Sequence, residues 1–257
     1  MMRFFALVLA LLIGLSLGLL GGGGAVLALP VFVYVLGIDP KTAIAMTLVV
    51  VGSASLLGAI PHARRGNIDW LRTVVFGSST MLGAFLGARL ALLPWVTAQL
   101  QMGLFAVAIL AAASFMLRRQ PPKAEDPVLN YPRPFCLSCW TWLVSEGIGV
   151  GVLTGLVGVG GGFAIVPALV LLGKVPMRKA IGTSLVIIGL NAIAGLAGYW
   201  GRLSLPWDLT LSFTAFACLG TLLGSVVSQR MSTHKLQKSF AIFLLAIGGF
   251  VLARSVL

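Results

Sequence analysis

The sequence predicts an all-α polytopic membrane protein built from two inverted repeats. Hydrophobic residues make up 59% of its 257 residues and charged residues only 9%, whereas soluble domains have about 25% charged residues. Apolar runs of about 18 or more residues, long enough to cross a bilayer as helices, recur along the chain. The composition therefore excludes a cytosolic enzyme, a disordered protein and a secreted disulfide scaffold.

The repeat becomes visible when the sequence is aligned with itself at an offset of 137 residues. Nine glycine pairs then coincide, where chance would align only about two. Pro30 also meets Pro167, and Trp70 meets Trp207. Internal repeats of this kind are typical of secondary transporters. The apolar N-terminal run resembles a signal peptide, but its counterpart in the second half indicates that it is retained.

Each half is predicted to contain a glycine-broken, hairpin-like segment followed by three transmembrane helices. The predicted segments are 4–37, 42–61, 71–91 and 95–117 in the first half, and 140–173, 180–199, 208–228 and 237–254 in the second. We divide the chain into a first transmembrane repeat (1–117), a linker (118–139) and a second transmembrane repeat (140–257). Residues 118–135 hold four basic residues and five prolines, and both kinds of residue oppose burial in lipid.

The positive charges favour an inverted relation between the halves. If each glycine-broken segment returns to the side on which it starts, one side of the membrane carries 13 Lys and Arg and the other carries five. If each segment crosses only once, the counts are ten and eight. Cytoplasmic loops are enriched in Lys and Arg. We therefore expect linker residues 118–135 in the cytoplasm and both termini on the periplasmic side.

Two glycine clusters are candidates for an anion site. Gly21–Gly24 interrupts the first segment, and a helix restarting over 25–36 would span only about 18 Å. Gly158 and Gly160–Gly162 precede a similar restart over 163–172 in the second half. The unpaired N–H groups at such helix starts bind anions, and inverted repeats would bring the two starts together near the midplane. The candidate ligands are Gly22, Gly23, Gly24, Ala25, Gly160, Gly161, Gly162 and Phe163.

Close helix packing is the alternative role for these glycines, since small residues let membrane helices approach. Packing is the role that we predict for the pairs spaced four residues apart: Gly14/Gly18, Gly83/Gly87, Gly151/Gly155 and Gly220/Gly224. Clusters of three or four consecutive glycines exceed what packing requires, which favours an ion-site role for them.

Several polar side chains are further candidates. Thr183, Ser184 and Asn191 lie near a predicted helix start and can bind an oxyanion, although hydroxyls also bond to their own helix. Thr47, Ser53 and Ser55 are comparable in the first half. Glu146 is the one acid within an apolar run, which makes it the candidate for proton coupling, with a solvated or paired carboxylate as the alternative.

The remaining expectations concern the basic and cysteine residues. Arg65 and Arg202 occupy equivalent repeat positions and either attract anions or anchor the helices at the interface. His62 is expected in a loop. Cys136 and Cys139 form a single CxxC, which lacks the two further ligands of a structural zinc site. We therefore expect no metal site and no cofactor.

A family resemblance adds to these inferences. The segments GLLGGGGAVLALP (18–30) and GLVGVGGGFAIVP (155–167) each end in a proline, and KTAIAMTL and RKAIGTSL follow them. The sequence resembles the TauE/SafE family of sulfite and sulfonate exporters, also called the TSUP family, over nearly its whole length. The resemblance implies an inner-membrane permease of bacterial type that moves sulfite, organosulfonates or related sulfur-containing anions. In the first half, Gly22 and Ala25 replace Val159 and Gly162, so the two sites need not be equivalent.

The function that follows is a secondary transporter that exports a small sulfur-containing anion by alternating access. The expected partners are the anion and the lipid bilayer, without nucleic acid. An anion channel is the alternative, followed by a membrane subunit that transports nothing. An enzyme is disfavoured because the sequence lacks HExxH, GxSxG, GxxxxGK[ST] and GxGxxG motifs.

Overall fold

The computed structural model describes residues 2–93, 95–118, 137–157, 161–172, 175–199 and 205–256. These residues form helices and no strands. The helices are α1 (Met2–Leu20), α2 (Gly23–Pro30), α3 (Pro40–Arg64), α4 (Trp70–Ala91), α5 (Ala98–Arg118), α6 (Leu137–Val157), α7 (Gly162–Pro167), α8 (Met177–Tyr199), α9 (Trp207–Ser228) and α10 (Thr233–Val256).

Six of the described helices are long and apolar enough to cross a membrane. They are α3, α4, α5, α8, α9 and α10, which are the three helices predicted in each half. Their bounds follow the apolar runs closely: α9 covers Trp207–Ser228, where the sequence predicts 208–228. The prediction of an all-α, multi-pass membrane protein is therefore confirmed.

The glycine-broken segments are a long helix followed by a short one. In the first half, α2 continues beyond Pro30 as a π-helical turn over Val31–Val35. In the second, α7 continues beyond Pro167 as a π-helical turn over Ala168–Leu172. Proline has no N–H to donate within a helix, and a wider π turn follows it in both halves. Neither short helix is long enough to span the roughly 30 Å hydrocarbon core.

The first helix of each half packs against the other half. Helix α1 lies along α9, and its repeat counterpart α6 lies along α4. Backbone meets backbone in both pairs: a Cβ atom at Gly14 would lie within 3.0 Å of Ala217, and one at Gly151 within 3.0 Å of Thr80. Gly18, Gly83, Gly87, Gly155, Gly220 and Gly224 face neighbouring backbones in the same way. The packing role predicted for glycines spaced four apart is confirmed.

Helices α3 and α8 form the centre of the molecule. Both are mostly buried, and they pack on each other. Helix α3 also packs on α9, and α8 also packs on α4. A Cβ atom at Gly52 would lie 2.6 Å from Ala192 Cβ, and one at Gly195 would lie 3.2 Å from Leu48 Cδ1. Because later residues of α3 meet earlier residues of α8, these two repeat-equivalent helices run antiparallel.

The long helices α4, α5, α9 and α10 form the rim of the molecule. Helix α5 packs on α10, also antiparallel, since Gln237 near the start of α10 donates to Met116 O near the end of α5 at 3.2 Å. Large apolar side chains are exposed along the rim, including Leu82, Val107, Leu219 and Ile242. In a chain this apolar, such a surface is what the acyl chains of a bilayer contact.

The interlocked packing predicts unequal costs for two glycine substitutions. Gly220→Ala would place a Cβ atom within 3.0 Å of the Leu11 carbonyl and the Leu15 amide nitrogen. We expect it to lower the free energy of unfolding by about 1–3 kcal/mol, since overpacking forces backbone shifts. Thermal unfolding in detergent measures the effect.

Gly249→Ala is the matched control, because nothing lies within 4 Å of its added Cβ atom. Alanine favours helix over glycine by up to about 1 kcal/mol, so this variant should melt at the wild-type temperature or slightly above it. Equal melting temperatures for Gly220→Ala and wild type would contradict the packing described for α1 and α9.

Candidate functional site

The two helix breaks form the centre of the candidate site. Helix α1 ends at Leu20, Gly21 takes a φ of +71°, and α2 begins at Gly23. In the second half, α6 ends at Val157 and Gly161, with a φ of +89°, caps the start of α7. Both positive φ values belong to the left-handed region that glycine enters without strain. The helices restart earlier than the predicted residues 25 and 163, so part of each cluster is helical.

The two breaks contact each other directly. A Cβ atom at Gly162 would lie 2.6 Å from Gly22 Cα, and one at Gly22 would lie 2.5 Å from the Gly162 carbonyl carbon. No side chain fits at either position without moving backbone. The structure thus brings together one glycine from each of the two clusters singled out in the sequence.

The rest of the first cluster lies against helices of its surroundings. Gly24 faces α1, since its Cβ atom would lie 2.5 Å from Leu17 Cβ. Gly23 faces the side chains of Leu20 and of Phe243 on α10. Ala25 is fully buried. These three residues form the first turn of α2, whose N–H groups have no partner within the helix.

The second cluster has an aromatic neighbour. Phe163 is fully buried and packs edge-on against Phe105 of α5, with ring centroids 5.6 Å apart. Gly161 faces Thr154 of α6, whose Cβ and Cγ2 atoms would each lie 3.1 Å from an added Cβ. Gly160 lies outside the described residues.

Ser184 joins the centre of α8 to the first break. Its hydroxyl is fully buried, lies 3.0 Å from Gly21 O and 2.8 Å from Ile181 O, and can donate to either. Thr183, its neighbour, has a different contact: its hydroxyl accepts the backbone N–H of Asp69 at 2.9 Å. Asp69 caps α4 by accepting the N–H of Arg72 at 3.1 Å. Thr183 therefore holds the connection between α3 and α4.

Asn191 lies further along α8, next to α4. The Thr80 hydroxyl lies 3.0 Å from both Asn191 Oδ1 and Gly77 O and can donate to either, and only 1% of Asn191 is exposed. Its Nδ2 group has no hydrogen-bond partner among the described residues. Sequence reasoning selected Asn191 but missed Thr80 and Thr154. Their one available signal is a hydroxyl in an apolar helix, which usually bonds to its own helix.

Three further candidates of the first half lie on α3. Thr47, the repeat counterpart of Ser184, and Ser55 are both fully buried, and neither hydroxyl has a partner within the described ranges. Ser53 is half-buried. The expectation of a loop position for His62 is wrong: it belongs to the last turns of α3, and only 1% of it is exposed. Its packing beside Gly182 of α8 explains the burial.

The two charged candidates that the structure describes, Arg65 and Glu146, lie away from the two breaks. Arg65 follows the end of α3 and is exposed. Glu146 is half-buried on α6, eight residues before Thr154. Arg202 and Cys136 fall outside the described part of the chain. No group of three or more potential metal ligands occurs in the residues that the structure describes.

The polar groups beside the breaks are neutral. Hydroxyls, one amide and backbone N–H groups can donate hydrogen bonds, and they can bind an oxyanion without proton transfer. Of the buried side chains in the described segments, only those of His62 and Arg72 can carry a positive charge, and both lie near the ends of their helices. Broken helices among long apolar spans, lined by neutral donors, define a membrane protein suited to binding small solutes.

Comparison with known proteins identifies the family. The family described as sulfite exporter TauE/SafE matches residues 6–251. A probable membrane transporter protein of Xylella fastidiosa is 32% identical over 95% of this chain and 92% of its own length. Probable membrane transporter proteins of Methanocaldococcus jannaschii and Bacillus subtilis are 27% and 28% identical, over 96% and 94% of this chain and 97% and 96% of their own lengths. No solved structure matches the chain.

The chain belongs to the sulfite exporter TauE/SafE family of membrane transporters. The resemblance inferred from the two glycine-rich segments is thereby confirmed.

We predict that a substitution at Gly161 impairs transport by more than its backbone strain alone would. Gly161→Ala places a methyl group against Thr154 in a backbone conformation that L residues disfavour. We expect anion transport to fall at least about tenfold while the protein still inserts in the membrane. Transport by reconstituted protein, normalised to the folded fraction, measures it.

Gly66→Ala is the control, since Gly66 has a φ of +68° with nothing within 4 Å of an added Cβ atom. It carries comparable backbone strain in the connection between α3 and α4, outside the contact of Gly161 with Thr154, and should retain transport. Equal transport by the two variants would mean that the geometry at Gly161 has no special role.

Proposed function

We propose that the protein is a secondary transporter that exports small sulfur-containing anions, such as sulfite or organosulfonates. The observation that carries the proposal is the contact between Gly22 and Gly162, where two broken helices of opposite halves meet inside the protein. Broken helices that meet between repeats are the sites where many secondary transporters hold substrate. The family description supports the choice of sulfite and its relatives as substrate.

The anion site that we propose flanks this contact. The N–H groups at the start of α2 (Gly22 to Ala25) and of α7 (Gly161 to Phe163) would donate to the anion, with Ser184 and Asn191 beside them. Gly22 and Gly162 touch, so the anion lies next to their contact rather than between them. Thr183 acts on the site indirectly, because its hydroxyl lies at the connection between α3 and α4, where it accepts the N–H of Asp69.

Alternating access is the mechanism that this arrangement favours. Ser184 lies at the first break and Asn191 lies about two helical turns further along α8, roughly 10 Å at 1.5 Å per residue. Small movements of the two halves about the glycine contact would expose one group of donors and close off the other. Arg65 is exposed at one end of α3. Arg65 and its repeat counterpart Arg202 would attract anions to the two mouths of the transport path.

Flux into liposomes tests the function. Purified protein is reconstituted and offered sulfite, methanesulfonate, sulfate and chloride, with and without a proton gradient. A carrier saturates with sulfite and shows counterflow of labelled anion. Linear flux at high unitary rate would indicate an anion channel instead, and absence of flux for every anion would indicate a subunit that transports nothing.

Glu146 is our proposed proton-coupling residue. It is half-buried on α6, the helix that carries Thr154, and intramembrane carboxylates often form proton pathways. In the same liposomes, Glu146→Gln should abolish accumulation driven by a proton gradient and spare exchange at equal pH. Unchanged accumulation would remove Glu146 from the mechanism.

We also propose an inverted topology, with linker residues 118–135 in the cytoplasm and both termini in the periplasm. The antiparallel packing of α3 on α8 and of α5 on α10 supports inversion, because parallel repeats would place equivalent helices in the same direction. The 13-to-five distribution of Lys and Arg supports the orientation.

Cysteine labelling tests the topology. In a background without Cys136, Cys139 and Cys218, the single variants Glu125→Cys and Leu205→Cys should react with an impermeant maleimide from opposite sides of the membrane. Glu125→Cys should label only after the inner membrane is opened. Labelling of both variants from the same side would exclude the inverted repeat.

A further inference from the structure

The polar side chains around the second break have no counterparts around the first. Thr80, Thr154 and Asn191 are buried on α4, α6 and α8. At the repeat offset of 137 residues, their counterparts are Ala217, Leu17 and Ala54, all of them apolar and buried. The two halves are otherwise similar, but the three positions near the second break are polar and their repeat counterparts are apolar.

Contacts among α4, α6 and α8 place these three residues near one another. Thr80 bonds to Asn191 at 3.0 Å, and a Cβ atom at Gly151 of α6 would lie 2.9 Å from the Thr80 carbonyl carbon. Thr154 is one turn beyond Gly151 and touches Gly161. The group thus extends from α4 across α6 to the second break.

Helix α8 brings Asn191 to the same place. Ile188, one turn before Asn191, would lie 3.0 Å from a Cβ atom at Gly162. The Asn191 side chain is 99% buried, and its Nδ2 group has no partner among the residues that the structure describes. A buried amide with unused donors carries a desolvation cost, and a bound acceptor removes that cost.

The surroundings of Asn191 lack a positive charge within the described ranges. The nearest buried cation along α4 is Arg72, eight residues before Thr80 and so about 12 Å away along the helix. Arg72 forms an ion pair with Asp69. Glu146 precedes Thr154 by the same number of residues on α6. Of the groups in the described residues of α4 and α6, only neutral ones are therefore close enough to offset the charge of a bound anion.

We propose that Asn191 and Thr80 form an oxyanion site beside the second break that selects singly charged anions, with Asn191 Nδ2 as its principal donor. Thr154 borders the site, and its hydroxyl donates to Gly151 O at 3.0 Å. The inference rests on the proposed transport function and specifies its substrate class. The Born cost of burying an ion rises with the square of its charge, so a dianion loses about four times as much solvation as a monoanion. The few neutral donors beside this break offset the smaller cost more completely than the larger one.

Bisulfite and alkylsulfonates carry one negative charge, whereas sulfite and sulfate carry two. The site therefore takes sulfite in its protonated form, bisulfite, and takes alkylsulfonates directly. In each case the sulfur oxygens accept from Asn191, while the Thr80 hydroxyl holds the other end of the amide.

Binding to purified protein in detergent tests the donor. Asn191→Leu removes the amide at nearly constant volume, and titration calorimetry with methanesulfonate should show binding weaker by roughly tenfold to a hundredfold, the value of a hydrogen bond to a charged group. Thr80→Val removes the hydroxyl that orients the amide and should weaken binding several-fold.

Thr221→Val is the matched control. Thr221 is as fully buried as Thr80, and its hydroxyl bonds to Ala217 O within its own helix at 2.8 Å. It lies on α9 in contact with Gly18 and Gly58, so methanesulfonate should bind to this variant as to wild type. Wild-type affinity in Asn191→Leu would overturn the proposal, and melting temperatures identify any variant that fails to fold.

The charge of the anion gives a second test that a purely structural role would not affect. Methanesulfonate affinity should be independent of pH in the neutral range, and sulfate should bind at least about a hundredfold more weakly. Affinity for total sulfite should fall as pH rises and bisulfite loses its proton, in proportion to the bisulfite fraction. Equal affinities for sulfate and methanesulfonate would overturn monoanion selection.

The two proposals can fail separately. If liposomes show no flux of any anion, the transport function fails, while the detergent titrations still decide whether this site binds monoanions. If liposomes transport sulfate as fast as methanesulfonate, transport stands and monoanion selection fails.

Discussion

The close approach of two backbones at Gly22 and Gly162 constrains the rest of the structure. Lipid cannot satisfy the N–H and C=O groups that a broken helix leaves open, so each break must be surrounded by protein or by a watery cavity. The breaks contact each other, they follow α1 and α6, and the mostly buried helices α3 and α8 pack against the short helices α2 and α7. Side chains are excluded at the contact itself, and the polar groups therefore lie around it on neighbouring helices.

Much of this fold was predictable from the sequence, because membrane helices are long apolar runs and the repeat fixes one half from the other. The restart of α2 at Gly23 was not predictable in the same way. Glycine propensity argues for a longer break, but inside apolar surroundings every unpaired backbone group is costly, and the helix extends through two glycines to bond them. The burial of His62 was missed for a related reason, since basic neighbours in the sequence say nothing about the helix packed beside it.

The candidate site was less predictable than the fold. Ser184 and Asn191 were identifiable as polar residues in an apolar helix. Ser184 contacts the first break, and Asn191 lies one turn beyond Ile188, which is near the second. Thr80 lies 111 residues from its partner Asn191 along the chain, and no local pattern links them. Thr183 shows the converse: it looks like its neighbour in sequence, yet a rotation of about 100° around the helix turns its hydroxyl to a loop. Polarity identifies candidates, and only packing separates those at the breaks from those that hold loops.

The crossed packing of α1 on α9 and of α6 on α4 has a consequence for biosynthesis. The ribosome completes α1 almost 190 residues before it begins the partner helix α9, counting from Leu20 to Trp207. During that interval the glycine-rich face of α1 has no final neighbour, and lipid or the insertion machinery must occupy it. Neither half can reach its native form alone, since each lends its first helix to the other. The two halves must therefore be synthesised on one chain, or be inserted into the same membrane at the same time.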